Sequence, residues 1–224
     1  YPLGVVMSAR RRLELVRWAR ARGAIVLEDD FDAEFRYAGR PLSTLYALDA
    51  GARVVYAGTF SKICFLGLRL GYLVLPGDLA PRFARARLDL DFQTALPLQA
   101  AMADFLREGH LAAHVRRMRR RYAQRQQVLR SAVDRHLGDL LEIGPHEAGL
   151  HVVARLAPAL ARRASDEQVA AAAEAGGVPV APLRHFCAGV PPFAALVLGY
   201  AGVPERELDE RVGRLARALR PLLD

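Results

Sequence analysis

Two short apolar runs, each followed at once by polar or charged residues, most constrain how this chain folds. The first run, residues 24–27, leads into an acidic segment, residues 28–32. The second run, residues 54–57, leads into residues 58–62, which read Gly-Thr-Phe-Ser-Lys. Continuous apolar runs of this length are typical of buried parallel strands, and ligands of open α/β sheets lie at the carboxyl ends of such strands. We therefore expect both polar segments to meet at one ligand site.

Lys62 is the only lysine in the chain. Lysines and arginines together number 32, and all of them except Lys62 are arginines. A lysine amine can lose its proton near neutral pH and attack a carbonyl group, whereas a guanidinium group cannot. This difference favours a chemical role for Lys62. The alternative is one surface lysine that codon bias has left in place.

Polar residues around Lys62 suit a phosphorylated aldehyde. Thr59 and Ser61 alternate with Phe60, so both hydroxyls can face the same ligand. Arg69 follows Lys62 after a short interval and offers a bidentate fork for a phosphate group. Two hydroxyls, one guanidinium group and one amine together match such a ligand.

The acidic segment suits the ring of the same ligand. A pyridine ring accepts electrons only while its nitrogen stays protonated, and a neighbouring carboxylate enforces that state. Either Asp29 or Asp30 fits this role. A solvated acidic turn and a metal cluster are the alternatives, but the segment has no histidine or cysteine, so zinc is disfavoured and we expect no metal site.

At these positions the chain resembles fold-type I pyridoxal-phosphate proteins of aminotransferase class I/II. Specifically, it is similar to the aminotransferase-like domain of MocR-type regulators, in which a GntR-like winged helix precedes an aminotransferase fold. The resemblance covers essentially the whole chain and is carried by residues 28–37, 58–62, 67–72, 108–110 and 116–120. It implies an α/β fold, with part of the large domain followed by a small C-terminal α/β domain, and pyridoxal 5′-phosphate as cofactor.

The resemblance also implies a role for each candidate site residue. Lys62 would form the Schiff base, the internal aldimine, with the cofactor. Asp29 would be the partner of the pyridinium nitrogen, and Thr59, Ser61 and Arg69 would bind the phosphate. Lys62 and Asp29 are the two catalytic candidates if the domain is active.

Several positions depart from the family pattern. Phe31 replaces a tyrosine that usually follows the aspartate pair, and residues 1–4 read Tyr-Pro-Leu-Gly where aminotransferases have Asn-Pro-Thr-Gly. Val197 lies nearest the place of the arginine that binds the substrate carboxylate. Arg184 could substitute for it, although a surface role for Arg184 is favoured. These changes put ordinary transamination in doubt.

Three functions follow from these features. The favoured one is a ligand-sensing domain that reads a small-molecule amine or amino acid and belongs to a MocR-type regulator, whose DNA-binding winged helix is not in this chain. The second is an aminotransferase that acts on an amino acid, with Lys62 as the general base. In both, the resemblance implies a homodimer. The upstream sequence discriminates between them, since a winged helix favours the regulator.

The third function is nucleic-acid binding through an arginine-rich helix. Apolar residues at helical spacing predict a long helix over about residues 110–137. Its outer face would hold six arginines, and the net charge of +8 and pI near 10.2 favour a nucleic-acid partner. Among residues 116–125 Tyr122 is the single aromatic residue, which is too few for a base-stacking surface, so a solvated face is favoured. The six are Arg116, Arg117, Arg119, Arg120, Arg121 and Arg125.

The remaining pattern predicts the domain organisation. We expect residues 1–105 to be the C-terminal part of the large domain, 106–137 the connecting helix and 138–224 the small domain. The chain shows neither a signal peptide nor an anchor and has two cysteines without a disulfide framework, so we expect a cytoplasmic protein and no membrane partner. The start of the chain is expected to lie inside the cofactor domain. Further predicted elements are a helix between Ser8 and Gly23, strands at 68–75, 149–156, 178–183 and 195–200, helices following Asp78 and Ser165, and a final helix at 204–223.

Overall fold

The computed structural model describes residues 1–37, 42–92, 95–146 and 148–223. The chain divides into two units. The first unit is Val6–Arg117, and the second combines Tyr1–Val5 with Met118–Asp224. The three segments predicted from the sequence, with boundaries after residues 105 and 137, stay a prediction.

A three-stranded sheet organises the first unit. Its strands are β1 (Val26–Asp30), β2 (Val54–Thr59) and β3 (Gly71–Val74), in that spatial order. β1 and β2 are parallel, as the two apolar runs predict, whereas β3 is antiparallel to β2. The helices of this unit are α1 (Ala9–Arg22), α2 (Leu45–Leu48), α3 (Ala80–Asp91) and α4 (Leu96–Arg107).

One face of this sheet is covered near Val54, which packs with Val16 of α1 and Leu45 of α2. The opposite face is only partly open, since Val55 on that face is buried. Leu27 and Leu73, on the opposite face, are 67% and 50% exposed. Side chains of a strand alternate between the two faces, so the register decides which polar residue lies on which face.

Local sequence signals predict the bounds of α1 correctly and those of β3 less accurately. The Ser8 hydroxyl accepts a hydrogen bond from the backbone of Arg11, and Gly23 ends the helix in the left-handed conformation, as predicted. The predicted strand at 24–27 begins two residues later. The predicted strand at 68–75 is wrong at its start, because Arg69 has a φ of 50° and only Gly71–Val74 pairs with β2. Asp78 does not cap α3, whose N-cap is Leu79 without a side-chain hydrogen bond.

The long helix α5 (His110–Leu137) matches its predicted bounds and runs across the boundary between the two units. The second unit contains an antiparallel sheet in the order β4-β5-β7-β6. None of the described helices combines the length and hydrophobicity that a bilayer crossing needs. The strands are β4 (Leu141–Ile143), β5 (His151–Leu156), β6 (Ala181–Pro182) and β7 (Ala195–Gly199), and the further helices are α6 (Pro158–Ala161), α7 (Asp166–Ala175) and α8 (Glu205–Leu219).

A buried tyrosine anchors this second sheet. The Tyr200 hydroxyl donates to the carbonyl of Gly149 (2.7 Å) and accepts from the side-chain amide of Gln126 (3.2 Å). The predicted strand at 178–183 shrinks to two residues, because Pro179 and Pro182 have no N–H to donate to a ladder. β4 was not predicted, since three residues are too short to show an alternating pattern.

Candidate functional site

The segment that connects β2 to β3, residues 60–70, is called the lysine loop here. Two backbone hydrogen bonds close it: Phe60 N–H donates to the carbonyl of Leu70 (2.9 Å), and Cys64 N–H donates to the carbonyl of Phe60 (2.8 Å). Lys62 lies near its start with an exposed side chain. Among the described residues, its amine has no hydrogen bond or ion pair. The loop therefore fixes the backbone while the amine stays available.

The Thr59 hydroxyl shapes the entry to this loop. It accepts a hydrogen bond from Ser61 N–H (3.1 Å) and donates a long one to the carbonyl of Leu70 (3.4 Å). Ser61 itself is only 7% exposed. A hydroxyl proton turns easily toward a better acceptor, so Thr59 can exchange the long bond for one to a ligand. The phosphate role of both residues stays a prediction.

Arg69 stands out by its backbone. It has φ 50° and ψ 34°, the left-handed conformation that residues other than glycine rarely adopt. Such a conformation costs on the order of 1 kcal/mol, and strained residues of this kind cluster at ligand sites. Its guanidinium group is exposed and has no partner within the described ranges. The Arg69 guanidinium group is therefore available to a ligand at the end of the lysine loop.

The carboxylates of Glu28 and Asp30 are already occupied. Glu28 accepts hydrogen bonds from the backbone N–H groups of Leu45 (2.8 Å) and Tyr46 (3.0 Å), which begin α2. Asp30 accepts from the Tyr56 hydroxyl (2.8 Å) and from a backbone N–H in the turn after β1. Both carboxylates therefore stabilise the local fold, and the expectation that the acidic segment meets the ligand as a group stays a prediction.

Asp29 lies on the other face of the sheet. Asp29 pairs with Ala57 of β2 and lies on the same face of the sheet as the exposed leucines at positions 27 and 73. Its carboxylate is exposed and makes no hydrogen bond or ion pair within the part of the chain that the structure describes. Of the two aspartates left open by the sequence, only Asp29 has a free carboxylate. Its role toward a pyridinium nitrogen stays a prediction.

A tyrosine pair backs the occupied face. Burial and then the Asp30 carboxylate raise the pKa of Tyr56, so its hydroxyl stays protonated and donates. The Tyr72 ring lies over Gly58, and a Cβ atom at Gly58 would come within 2.4 Å of Tyr72 Cζ. A side chain at position 58 would therefore displace the Tyr72 ring.

His114 supports the lysine loop from α5. Arg117 donates from its guanidinium to His114 Nδ1 (3.1 Å), so the ring proton is on Nε2. That Nε2–H donates to the carbonyl of Ile63 (2.8 Å), the residue after Lys62. His114 was not predicted from the sequence. Its partner Ile63 is 51 positions away in the sequence, and no local pattern signals the contact.

The second unit carries two of the departures from the aminotransferase pattern, at residues 1–4 and at Val197. Val197 is 7% exposed and packs in a cluster with Val153 and Leu183. Arg184, in a short 3₁₀ turn, is exposed, and its backbone N–H donates to Asp166 (3.0 Å). Within the described ranges, the Arg184 guanidinium has no partner. The Tyr1 ring packs edge-on at 4.8 Å from the ring of His151.

The prediction that Arg125 belongs to the exposed basic face is wrong. The Arg125 side chain is only 15% exposed; it donates to the carbonyl of Ala201 and lies 3.6 Å from the Glu205 carboxylate. Arg125 therefore faces the second unit, because its helical position turns it toward the start of α8. Arg116, Arg120 and Arg121 are exposed as predicted.

Comparison with known proteins gives a consistent result. The aminotransferase class I and II family model matches residues 2–215. The probable rhizopine catabolism regulatory protein MocR of Rhizobium meliloti is 41% identical over 218 residues, which are 97% of this chain and 43% of that protein. The pyridoxine biosynthesis transcriptional regulator PdxR of Corynebacterium glutamicum is 36% identical over 210 residues, which are 93% of this chain and 44% of that protein.

The solved structures agree. LysN, the α-aminoadipate aminotransferase of Thermus thermophilus, complexed with N-(5′-phosphopyridoxyl)-L-leucine, superposes with a TM-score of 0.88 at 29% identity. The match covers 99% of this chain and 57% of LysN. The chain thus spans less than half the length of the two regulators and somewhat more than half of the enzyme. The predicted fold-type I architecture and the resemblance to MocR-type regulators are confirmed, and the chain belongs to the aminotransferase class I and II family.

Proposed function

We propose that this chain is the pyridoxal-phosphate-binding, aminotransferase-like sensor domain of a MocR-type transcriptional regulator. The observation that carries the proposal is the free amine of Lys62 in a loop held by its own backbone and by His114. A lone lysine on a fixed loop at the carboxyl end of a parallel strand suits a covalent cofactor anchor.

The donor set fits pyridoxal 5′-phosphate. The Lys62 amine would hold the cofactor covalently. Thr59, Ser61 and Arg69 would bind the phosphate, and the free carboxylate of Asp29 would keep the ring nitrogen protonated. When bound, the cofactor supplies a carbonyl that reacts with amines and a ring that accepts electrons. The strained backbone at Arg69 supports this assignment, since strain of this kind concentrates at ligand sites.

Two departures favour a sensor over a fast enzyme. Phe31 has no hydroxyl, and the buried Val197 brings no charge to the place where an arginine would bind a substrate carboxylate. Relatives that are 41% and 34% identical to this chain are regulators, so we propose that DNA is bound by a part of the protein outside this chain. The ligand would be a small-molecule amine or amino acid, and the protein a cytoplasmic homodimer.

An aminotransferase is the second candidate. The likeness to LysN, with a TM-score of 0.88, supports it. In that case Lys62 would move a proton at the α-carbon of an amino acid, and Asp29 would stabilise the charge through the ring nitrogen. Arg184 is then the candidate for binding the substrate carboxylate, because its guanidinium is free within the described residues.

The cofactor is tested on the intact protein that contains this chain. Purified protein is mixed with pyridoxal 5′-phosphate, its absorption spectrum is recorded, and borohydride reduction is followed by peptide mass mapping. We expect a visible absorption band, with the mass increment on the Lys62 peptide. Lys62→Ala should lose both signals, while Arg116→Ala, which changes an exposed arginine on α5, should keep them. A folded wild-type protein without the band, or an increment on another peptide, would refute the cofactor assignment.

A second assay separates sensor from enzyme. The loaded protein is given a panel of amino acids with a 2-oxo acid as amino acceptor, and product is followed over many turnovers. An enzyme should reach about 1 s⁻¹ or faster on its substrate. A sensor should show a spectral change with its amine and no more than about one turnover. Multiple fast turnovers would favour the aminotransferase.

A further inference from the structure

A pocket lies entirely within the second unit. It encloses about 540 Å³, which falls in the range of roughly 300–1,000 Å³ typical of small-molecule sites. Side chains of β4 and β5 form one wall of the pocket, and residues 3–5 form another. Most of the lining is apolar and comes from Leu3, Val5, Ile143, Pro145, Val153 and Phe193.

Arg155 is the cationic side chain among the residues that line this pocket. Its guanidinium carbon lies 4.0 Å from the centre of the Phe193 ring, a cation–π contact that holds the group over the ring. Among the described residues it has no hydrogen bond or ion pair. Stacking uses the face of a guanidinium group and leaves its N–H edge free, so the donors of Arg155 are oriented and unused.

The polar neighbours limit what this edge can bind. Glu142 is the cross-strand partner of Arg155, yet the two side chains form no ion pair. Its negative charge beside the pocket disfavours a dianion such as phosphate. His146 is neutral in effect: its Nδ1–H donates to the carbonyl of Gly144 (3.1 Å), its Nε2 accepts from Val153 N–H (3.0 Å), and burial lowers its pKa.

We propose that this pocket binds a small carboxylate with an apolar body, bidentate to the Arg155 edge. One guanidinium fork matches one carboxylate in geometry and charge. The apolar lining removes the body of the ligand from water, which neither a phosphate ion nor a polar sugar would exploit. The site needs neither Lys62 nor the cofactor, so it gives the protein a second small-molecule input.

The test uses the intact protein and hexanoate as the probe, with binding followed by calorimetry. We expect saturable binding with a dissociation constant on the order of 1 mM, usual for a ligand of this size. Hexanamide has the same shape without the charge and should bind at least about tenfold more weakly. Inorganic phosphate should not displace hexanoate.

Variants locate the binding. Arg155→Gln should weaken hexanoate at least about tenfold, and Phe193→Leu should weaken it by a smaller factor through loss of the stacking surface. Arg163→Gln, which changes an exposed arginine of the same unit, should have no effect. Lys62→Ala should also leave hexanoate binding unchanged, which separates this pocket from the lysine loop.

Three results would overturn the proposal. They are no saturable binding at about ten times the expected dissociation constant, equal affinity for hexanoate and hexanamide, and full affinity in a folded Arg155→Gln protein. Arg155→Lys guards against a folding artefact, because it keeps the charge and loses the planar fork. It should bind with an affinity between those of the wild type and Arg155→Gln.

Discussion

Replacing His114 by alanine tests whether the lysine loop is held from α5. The change removes the 2.8 Å hydrogen bond from the imidazole to the carbonyl of Ile63 and leaves the residues of the proposed cofactor site intact. A loop that has lost this contact spends less time in the arrangement that presents Lys62. Affinity for the cofactor then falls by the fraction of protein in the competent state.

The contact geometry sets the size of the effect. A neutral hydrogen bond of this length contributes about 0.5–1.5 kcal/mol net, and about 1.4 kcal/mol corresponds to a factor of ten. The dissociation constant for pyridoxal 5′-phosphate should therefore rise roughly two- to twelvefold in His114→Ala. His114→Gln can still donate from its amide and should recover part of the loss.

A titration of the absorption band in the intact protein measures this constant. His110→Ala is the matched control, since His110 is one turn earlier on α5, is exposed and pairs only with the Glu108 carboxylate and the Phe105 ring among the described residues. The control should change the constant less than about twofold. An unchanged constant in a folded His114→Ala protein, or an equal rise in the control, would show that the loop does not depend on this hydrogen bond.

Three further predictions concern stability, measured by denaturant unfolding of the intact protein. Asp49→Asn should lower the free energy of unfolding by about 2–4 kcal/mol, because the buried carboxylate pairs with an arginine at 2.7 Å and accepts hydrogen bonds from two backbone N–H groups. Asp139→Asn, which changes an exposed ion pair, should lower it by less than about 1 kcal/mol. Equal losses in the two variants would contradict this expectation. Burial opposes a charge on Asp49, but these partners lower its pKa, so its contribution should be lost only as pH falls below 3.8. Burial lowers the pKa of His146 below 6.5, so the wild type should lose stability as pH falls below 6.5. A pH dependence that is unchanged in His146→Gln would count against this assignment. Gly58→Ala should cost about 1–3 kcal/mol by displacing the Tyr72 ring, and a neutral effect would show that the ring has room to move.

Long, periodic and locally capped elements were predictable from the sequence. The bounds of α5 match their prediction, because apolar residues recur at helical spacing over many turns. The caps at Ser8, Gly23 and Ser165 were predictable because a cap is a contact between near neighbours, whereas the reciprocal bond from Gln168 at Ser165 was not predicted. The lysine segment also emerged, since an apolar strand followed by small hydroxyl residues is a local pattern.

The positions of the acidic side chains were not predictable in the same way. Residues 28–30 alternate between the two faces of β1, and only the pairing with β2 shows which face is open. Glu28 is taken by the start of α2, and Asp30 by Tyr56, through contacts that span 17 and 26 positions. The Arg155 pocket and His114 were missed for the same reason. A sequence pattern specifies neighbours along the chain, and these sites depend on neighbours in space.

The lone, exposed lysine makes the chain its own reporter. Reductive methylation modifies amines and leaves guanidinium groups untouched, so Lys62 is the one side chain of this chain that it changes. The dimethylated amine gives one methyl resonance, which no other lysine of this chain overlaps. Protection of that site from the reagent would then follow occupancy directly, without engineered labels.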